Sequence, residues 1–77
     1  MSWDEAERLL VEMIAQQEAK LLVLARRLVP RLTAEDLLNP HDFVPLAESA
    51  EFNYEDGILA GLRAAGAAVR AARCRSA

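Results

Sequence analysis

The chain has 77 residues, and its composition restricts the kinds of protein it can be. Its formal net charge is −3, and it contains one cysteine, Cys74, and one histidine, His41. These residues cannot form an intramolecular disulfide, and they cannot supply a Cys/His zinc site. No block of like charge is present, so the sequence lacks the strong field that draws a protein onto nucleic acid or an anionic membrane.

Hydrophobic residues make up 53% of the chain, while glycine, proline and aromatic residues are few, and this balance favours helix. A domain this small usually needs association or unusually good packing to remain folded. The first residues lack the pattern of a secretory signal, and no apolar run approaches the roughly 20 residues of a membrane span. We therefore expect a cytoplasmic protein without membrane contact, folded as one helical domain over residues 1–77.

The first long helix is predicted over about residues 3–29. Ser2 followed by Glu5 is a capping-box pattern, which places the start of a helix at about Trp3. Pro30 ends the helix because it disfavours helical geometry in the residue before it. Between these signals, apolar residues recur at helical spacing and predict one continuous stripe: Trp3, Ala6, Leu10, Met13, Ile14, Leu21, Leu24, Ala25 and Leu28.

A short helix and an ordered linker are predicted over about residues 33–52. Thr33 followed by Asp36 gives a second capping signal, and Pro40 ends this helix within about two turns. The apolar residues of the linker are too numerous for a mobile loop, so we expect them to close one end of the helix pair: Phe43, Val44, Leu46 and Phe52.

The last long helix is predicted over about residues 54–73, with Asn53 as its N-cap and acidic residues in its first turn. Gly57, Gly61 and Ala65 recur every fourth residue, a spacing that lets two helix backbones approach closely. The alternative is that the alanines simply favour helix. Close packing accounts better for the glycines, because each costs about 1 kcal/mol relative to alanine inside a helix.

These elements predict an all-α fold: an antiparallel helical hairpin that assembles into a homodimer resembling a four-helix bundle. A two-helix monomer would leave apolar surface in water, which usually marks an interface. The candidate interface residues are Leu10, Ile14, Gln17, Leu21, Ile58, Gly61, Leu62 and Ala65. Gln17 interrupts the apolar stripe, so it either meets a polar partner that fixes the register or lies at the edge and reaches water.

Three arginines of the last helix, Arg63, Arg70 and Arg73, have two interpretations. In an antiparallel hairpin, Glu7 would lie near Arg70 or Arg73, and Glu18 near Arg63, which predicts ion pairs between the helices. The alternative is that the arginines form a stripe that contacts phosphates. The negative net charge disfavours this second interpretation.

The remaining reactive residues give weak signals. His41 beside Asp42, with Asp56 among the acidic residues downstream, resembles a base with an orienting carboxylate, but such a pair at a turn is more often a cap or a surface pair. Cys74 lies between arginines near the end of the chain and is more simply incidental. We therefore predict no catalytic residue, metal or cofactor. The hypothesis is a non-enzymatic module for protein–protein interaction, and the alternative is a dimeric nucleic-acid-binding protein.

Overall fold

The computed structural model describes residues 1–76 and shows two long helices joined by a compact helical linker. Helix α1 spans Trp3–Leu28, α2 spans Val44–Ala47 and α3 spans Ala50–Ser76, with 3₁₀ helices at Glu35–Leu38 and Pro40–Asp42. The molecule measures 45 × 19 × 16 Å, which matches the length of about 40 Å expected for a 27-residue helix. Residues 1–76 contain no strand, and Ala77 of the predicted domain lies outside the described residues.

Contacts between α1 and α3 show that the two long helices are antiparallel. Asp4, at the start of α1, contacts Arg73 near the end of α3. Gln17, in the second half of α1, contacts Glu55 near the start of α3. The predicted all-helical hairpin is therefore confirmed within the chain.

Helix α1 begins at Trp3, the residue that the capping box predicts. The backbone N–H of Glu5 donates to the hydroxyl of Ser2 at 3.1 Å, and this hydroxyl donates to the Glu5 carboxylate at 3.1 Å. The helix ends at Leu28, one residue before the predicted end. The sequence signals at both ends of α1 therefore act locally, through side-chain capping at the start and proline at the end.

The linker is held by local caps and by burial of two of its leucines. Thr33 and Asp36 cap each other reciprocally, with N–H to side-chain oxygen distances of 3.0 and 3.2 Å. Arg26 donates from Nε to the carbonyl oxygen of Leu32 at 2.9 Å, and Leu32 is 2% exposed. Of the four residues expected to close the end of the hairpin, Val44 is the exception, because it is 63% exposed.

The prediction that the last long helix begins at about residue 54 is wrong by four residues. The helix begins at Ala50, because the hydroxyl of Ser49 accepts the backbone N–H of Phe52 at 3.1 Å. Asn53 is not the cap, and its side-chain amide instead donates to the carbonyl oxygen of Ala47 at 3.0 Å. Starting the helix earlier places Phe52 on its inner face, where the ring is 1% exposed.

The hydrophobic core lies at the linker end of the hairpin. Its buried residues are Leu21, Leu24, Ala25, Leu32, Leu46, Phe52 and Leu59. Towards the chain termini, the apolar residues between the helices are only half-buried, as Leu10, Leu62 and Val69 illustrate. Within residues 1–76, no helix has the length and apolar character that crossing a membrane requires.

The glycines of α3 lie on different sides of the helix. Gly66 is buried, and a methyl group there would lie 3.7 Å from Ile14 Cδ1, so this glycine faces α1. Gly57 and Gly61 are exposed, and a methyl group at either would meet no atom within 4 Å. The predicted series through Gly61 therefore does not mediate close packing inside the hairpin.

A pair of linker leucines tests where the core lies. Leu46 is fully buried, so Leu46→Ala should lower the free energy of unfolding by about 2–5 kcal/mol, the usual result of removing buried methyl groups. Leu38 is 71% exposed, so Leu38→Ala should change the free energy of unfolding by no more than about 0.5 kcal/mol. Urea denaturation followed by circular dichroism measures both. Equal effects of the two substitutions would contradict this position of the core.

Candidate functional site

A cleft of about 500 Å³ opens where the linker meets both long helices, and we call it the linker cleft. Its apolar lining comes from all three segments: Leu21, Leu22, Leu37, Pro40, Leu59 and Ala60. Leu37 and Pro40 reach it because the two 3₁₀ helices fold the linker back against α1 and α3. The volume falls in the range of about 300–1,000 Å³ that is typical of small-molecule sites.

Four ionisable side chains, Glu18, His41, Asp56 and Arg63, complete the lining of the linker cleft. Arg63 lies 3.8 Å from a carboxylate oxygen of Glu18, and both side chains are about half exposed. Such an exposed pair contributes about 0–1 kcal/mol to stability. Among residues 1–76, neither His41 nor Asp56 has a side-chain hydrogen bond or an ion pair.

His41 is exposed on the Pro40–Asp42 turn, and the linker cleft brings it into one lining with Asp56 of α3. Within residues 1–76, no group of three or more His, Cys, Asp or Glu residues is arranged to hold a metal ion. The linker cleft is lined mainly by apolar side chains, with four ionisable side chains among them.

A second polar cluster joins α1 to α3 on the side that carries Gln17. The Gln17 amide donates from Nε2 to the Glu55 carboxylate at 2.7 Å and to the Glu55 carbonyl oxygen at 2.9 Å. Lys20 Nζ binds the other carboxylate oxygen at 2.9 Å. Gln17 thus meets a polar partner inside its own chain, where it can fix the register of the two helices.

This cluster holds the pKa of Glu55 below its ordinary value of 4.5. The hydrogen bond from Gln17 is the largest cause, and the hydrogen bond and positive charge of Lys20 act in the same direction. The residue as a whole is 8% exposed, and its burial opposes these effects. The ionised carboxylate is therefore the form that the folded chain stabilises.

The candidate interface residues divide into two groups in the structure. Leu21 is 1% exposed, while Leu10, Ile14, Gln17 and Leu62 are half-buried along the hairpin's own seam. Ile58, Gly61 and Ala65 are exposed on the outer side of α3. Only this second group is exposed, and within it Ile58 is 37% exposed.

The three arginines differ in the ion pairs that they form. Arg73 lies 2.7 Å from Asp4 and 3.3 Å from Glu7, and the charge of Asp4, followed by its hydrogen bond and by Glu7, raises the pKa of Arg73. Arg63 pairs with Glu18 in the linker cleft. Arg70 is exposed and has no ion pair within residues 1–76.

Sequence patterns gave Asp56 only a weak signal, as one of the acidic residues downstream of His41, and predicted no site there. Placing the start of α3 at residue 54 put Asp56 in the first helical turn, where its charge would be explained by the helix dipole. The helix begins at Ala50, and the acidic residue of its first turn is Glu51. Asp56 therefore lies in the second turn, and this position removes the capping explanation for its charge.

The comparisons with known proteins give no relationship for this chain. No family model matches it, and neither the curated proteins nor the solved structures contain a significant match.

The lowered pKa of Glu55 predicts how stability depends on pH. Its stabilising effect is present above the unfolded-state pKa, near 4.5, and is lost as pH falls through the lower folded-state pKa. Glu55→Gln should be less stable than the wild-type chain at pH 7, and the difference should shrink below about pH 4.5. Thermal denaturation between pH 3 and pH 7 measures this difference.

Glu12→Gln is the matched control, because Glu12 is exposed on α1 and has no ion pair among residues 1–76. Its stability should follow the wild-type pH dependence. A constant difference between Glu55→Gln and the wild-type chain at every pH would show that the ionised carboxylate has no special role.

Proposed function

We propose that this chain is a non-enzymatic module for protein–protein interaction that self-associates as a dimer. The contact would form along the outer seam of α3, which we define as Tyr54, Ile58, Gly61, Ala65, Ala68 and Ala72. Successive positions are alternately four and three residues apart, as they are along a coiled-coil contact. This regularly spaced seam, exposed at every position except the half-buried Ala72, is the observation that carries the proposal.

The outer seam is accessible in the isolated chain. Tyr54 is 70% exposed and Ile58 is 37% exposed. Gly61, Ala65 and Ala68 are exposed, and Gly61 has open space where a side chain would project. A helix that approached here would meet little side-chain bulk, so two backbones could come close together.

A second copy of the chain is the partner that fits this seam. In an antiparallel pairing of two α3 helices about a two-fold axis that crosses the outer seam midway between Gly61 and Ala65, Gly61 lies opposite Ala65 of the second copy. The same register puts Ile58 opposite Ala68, so a large side chain meets a small one. Because the interface is two-fold symmetric, each of these contacts occurs twice.

Charge along α3 favours the same antiparallel pairing. Glu51 lies in the first turn, and Arg75 lies in the last. The register that joins Gly61 to Ala65 also brings Glu51 near Arg75 of the second copy. A parallel pairing would instead place like charges together at both ends.

The flank of the hairpin adds apolar surface beside the outer seam. Met13 is 40% exposed and Leu9 is 46% exposed. They lie one and two turns before Gln17 on the same edge of α1, and Gln17 contacts α3 three residues before Ile58. A dimer formed through the outer seam would cover part of this flank.

The alternative, contact with nucleic-acid phosphates through the arginines, has less support. Arg73 is within 3.3 Å of two carboxylates, Asp4 and Glu7. Arg63 is near Glu18. These acidic groups offset the charge that would attract a phosphate, so we favour the interaction module.

Replacing either of two alanines of α3 with glutamate tests the proposed dimer. Ala65→Glu places charge in the outer seam and should weaken dimerisation by at least about tenfold, because a buried carboxylate without a partner is costly. Ala67→Glu adds the same charge to an exposed alanine two residues away, on another side of the helix, and should have little effect. Light scattering over a dilution series measures the association.

The wild-type chain should have the mass of two chains at micromolar concentration and should dissociate on dilution. A stably folded wild-type monomer over the whole series would reject self-association. Equal behaviour of the two glutamate variants would reject the outer seam as the contact.

A further inference from the structure

The linker cleft has an apolar interior that is not filled by the chain itself. Leu21 and Leu59 are buried in its floor, while Leu22 and Leu37 are half-buried in its walls. Leu38 also belongs to the lining and is 71% exposed. A ligand with an apolar body would cover leucine surface that now faces water, and this burial would favour binding.

Asp56 supplies an accessible negative charge to the same lining. It is half-buried, and within residues 1–76 its side chain takes part in no hydrogen bond or ion pair. No buried side-chain oxygen in residues 1–76 lacks a hydrogen-bond partner, so the Asp56 carboxylate oxygens keep contact with solvent. A bound cation could therefore pair with this carboxylate directly.

The charges around the linker cleft favour a cation over an anion. The ionisable groups of the lining are two carboxylates, Glu18 and Asp56, one guanidinium, Arg63, and the imidazole of His41. Arg63 lies beside Glu18, and among residues 1–76 no basic side chain forms an ion pair with Asp56. Opposite charge near an apolar surface strengthens binding because the surrounding leucines limit access of water.

We propose that the linker cleft binds a small organic cation, an ammonium group on an apolar body, through its leucines and Asp56. The apolar body lies against Leu22, Leu37 and Leu59, and the ammonium group pairs with the Asp56 carboxylate. This site is independent of the outer seam and of the proposed dimer.

Three probes with eight carbon atoms each test the proposal on the 77-residue protein. They are n-octylammonium, octanoate and 1-octanol. Isothermal titration gives the affinities, and backbone amide shifts in NMR spectra locate the site. n-Octylammonium should bind about tenfold more tightly than octanoate, the scale of one charge-assisted contact. The largest amide shifts should fall at Leu37, Asp56 and Leu59.

Asp56→Asn removes the charge and keeps the shape of the side chain. It should weaken the binding of n-octylammonium about tenfold and leave the affinity for 1-octanol unchanged. Asp42→Asn is the matched control, since Asp42 is exposed in the linker outside the lining, and it should leave all three affinities unchanged. Ala60→Leu narrows the linker cleft and should weaken every probe, with circular dichroism confirming that the variant is folded.

Each contrary result overturns the proposal. Octanoate binding as tightly as n-octylammonium would mean that Asp56 does not select the ligand, and tighter octanoate binding would make Arg63 the anchor. Unchanged n-octylammonium affinity in Asp56→Asn, or unchanged affinity of all probes in Ala60→Leu, would place binding outside the linker cleft.

Discussion

The register of the hairpin depends on the carboxylate of Glu55, which is 8% exposed as a residue and cannot be left without partners. Both partners come from α1: Gln17 binds one carboxylate oxygen and Lys20 binds the other. A shift of one residue along α3 would turn this side chain by about 100° and remove both contacts. The same shift would turn the buried side chains of Phe52 and Leu59 away from the core, so the Glu55 cluster and the apolar core select the same alignment.

This alignment leaves the two ends of the hairpin with different physical character. At the linker end, Leu46 and Phe52 are buried in the core and exclude water. At the terminal end, contact depends on half-buried residues and on the exposed contacts of Arg73. Exposed charge pairs add little to the stability of a fold. Burying more apolar surface would therefore stabilise the terminal half of the hairpin more than the linker half. A partner helix on the outer side of α3 would supply this burial.

Local sequence signals predicted the helical hairpin well, because caps and prolines act through neighbouring residues. Ser2 and Pro30 mark the ends of α1 to within one residue. The start of α3 was predicted at the wrong residue because asparagine is a common N-cap residue. In the structure, Ser49 caps the helix and Asn53 does not. The choice between them depends on burial of Phe52 against distant residues, which no local pattern contains. Predicting the linker cleft fails for the same reason, since its walls are separated in sequence.

The outer seam and the linker cleft lie on opposite sides of α3, and this arrangement follows from helical spacing. Asp56 and Ala65 are nine residues apart, a rotation of about 180° at 100° per residue. A partner on the outer seam would therefore leave the linker cleft open, and a ligand in the cleft would leave the seam free. The two sites share only the position of α3, which Glu55 fixes through its contacts with Gln17 and Lys20. Any influence of one site on the other must act by moving α3 relative to α1.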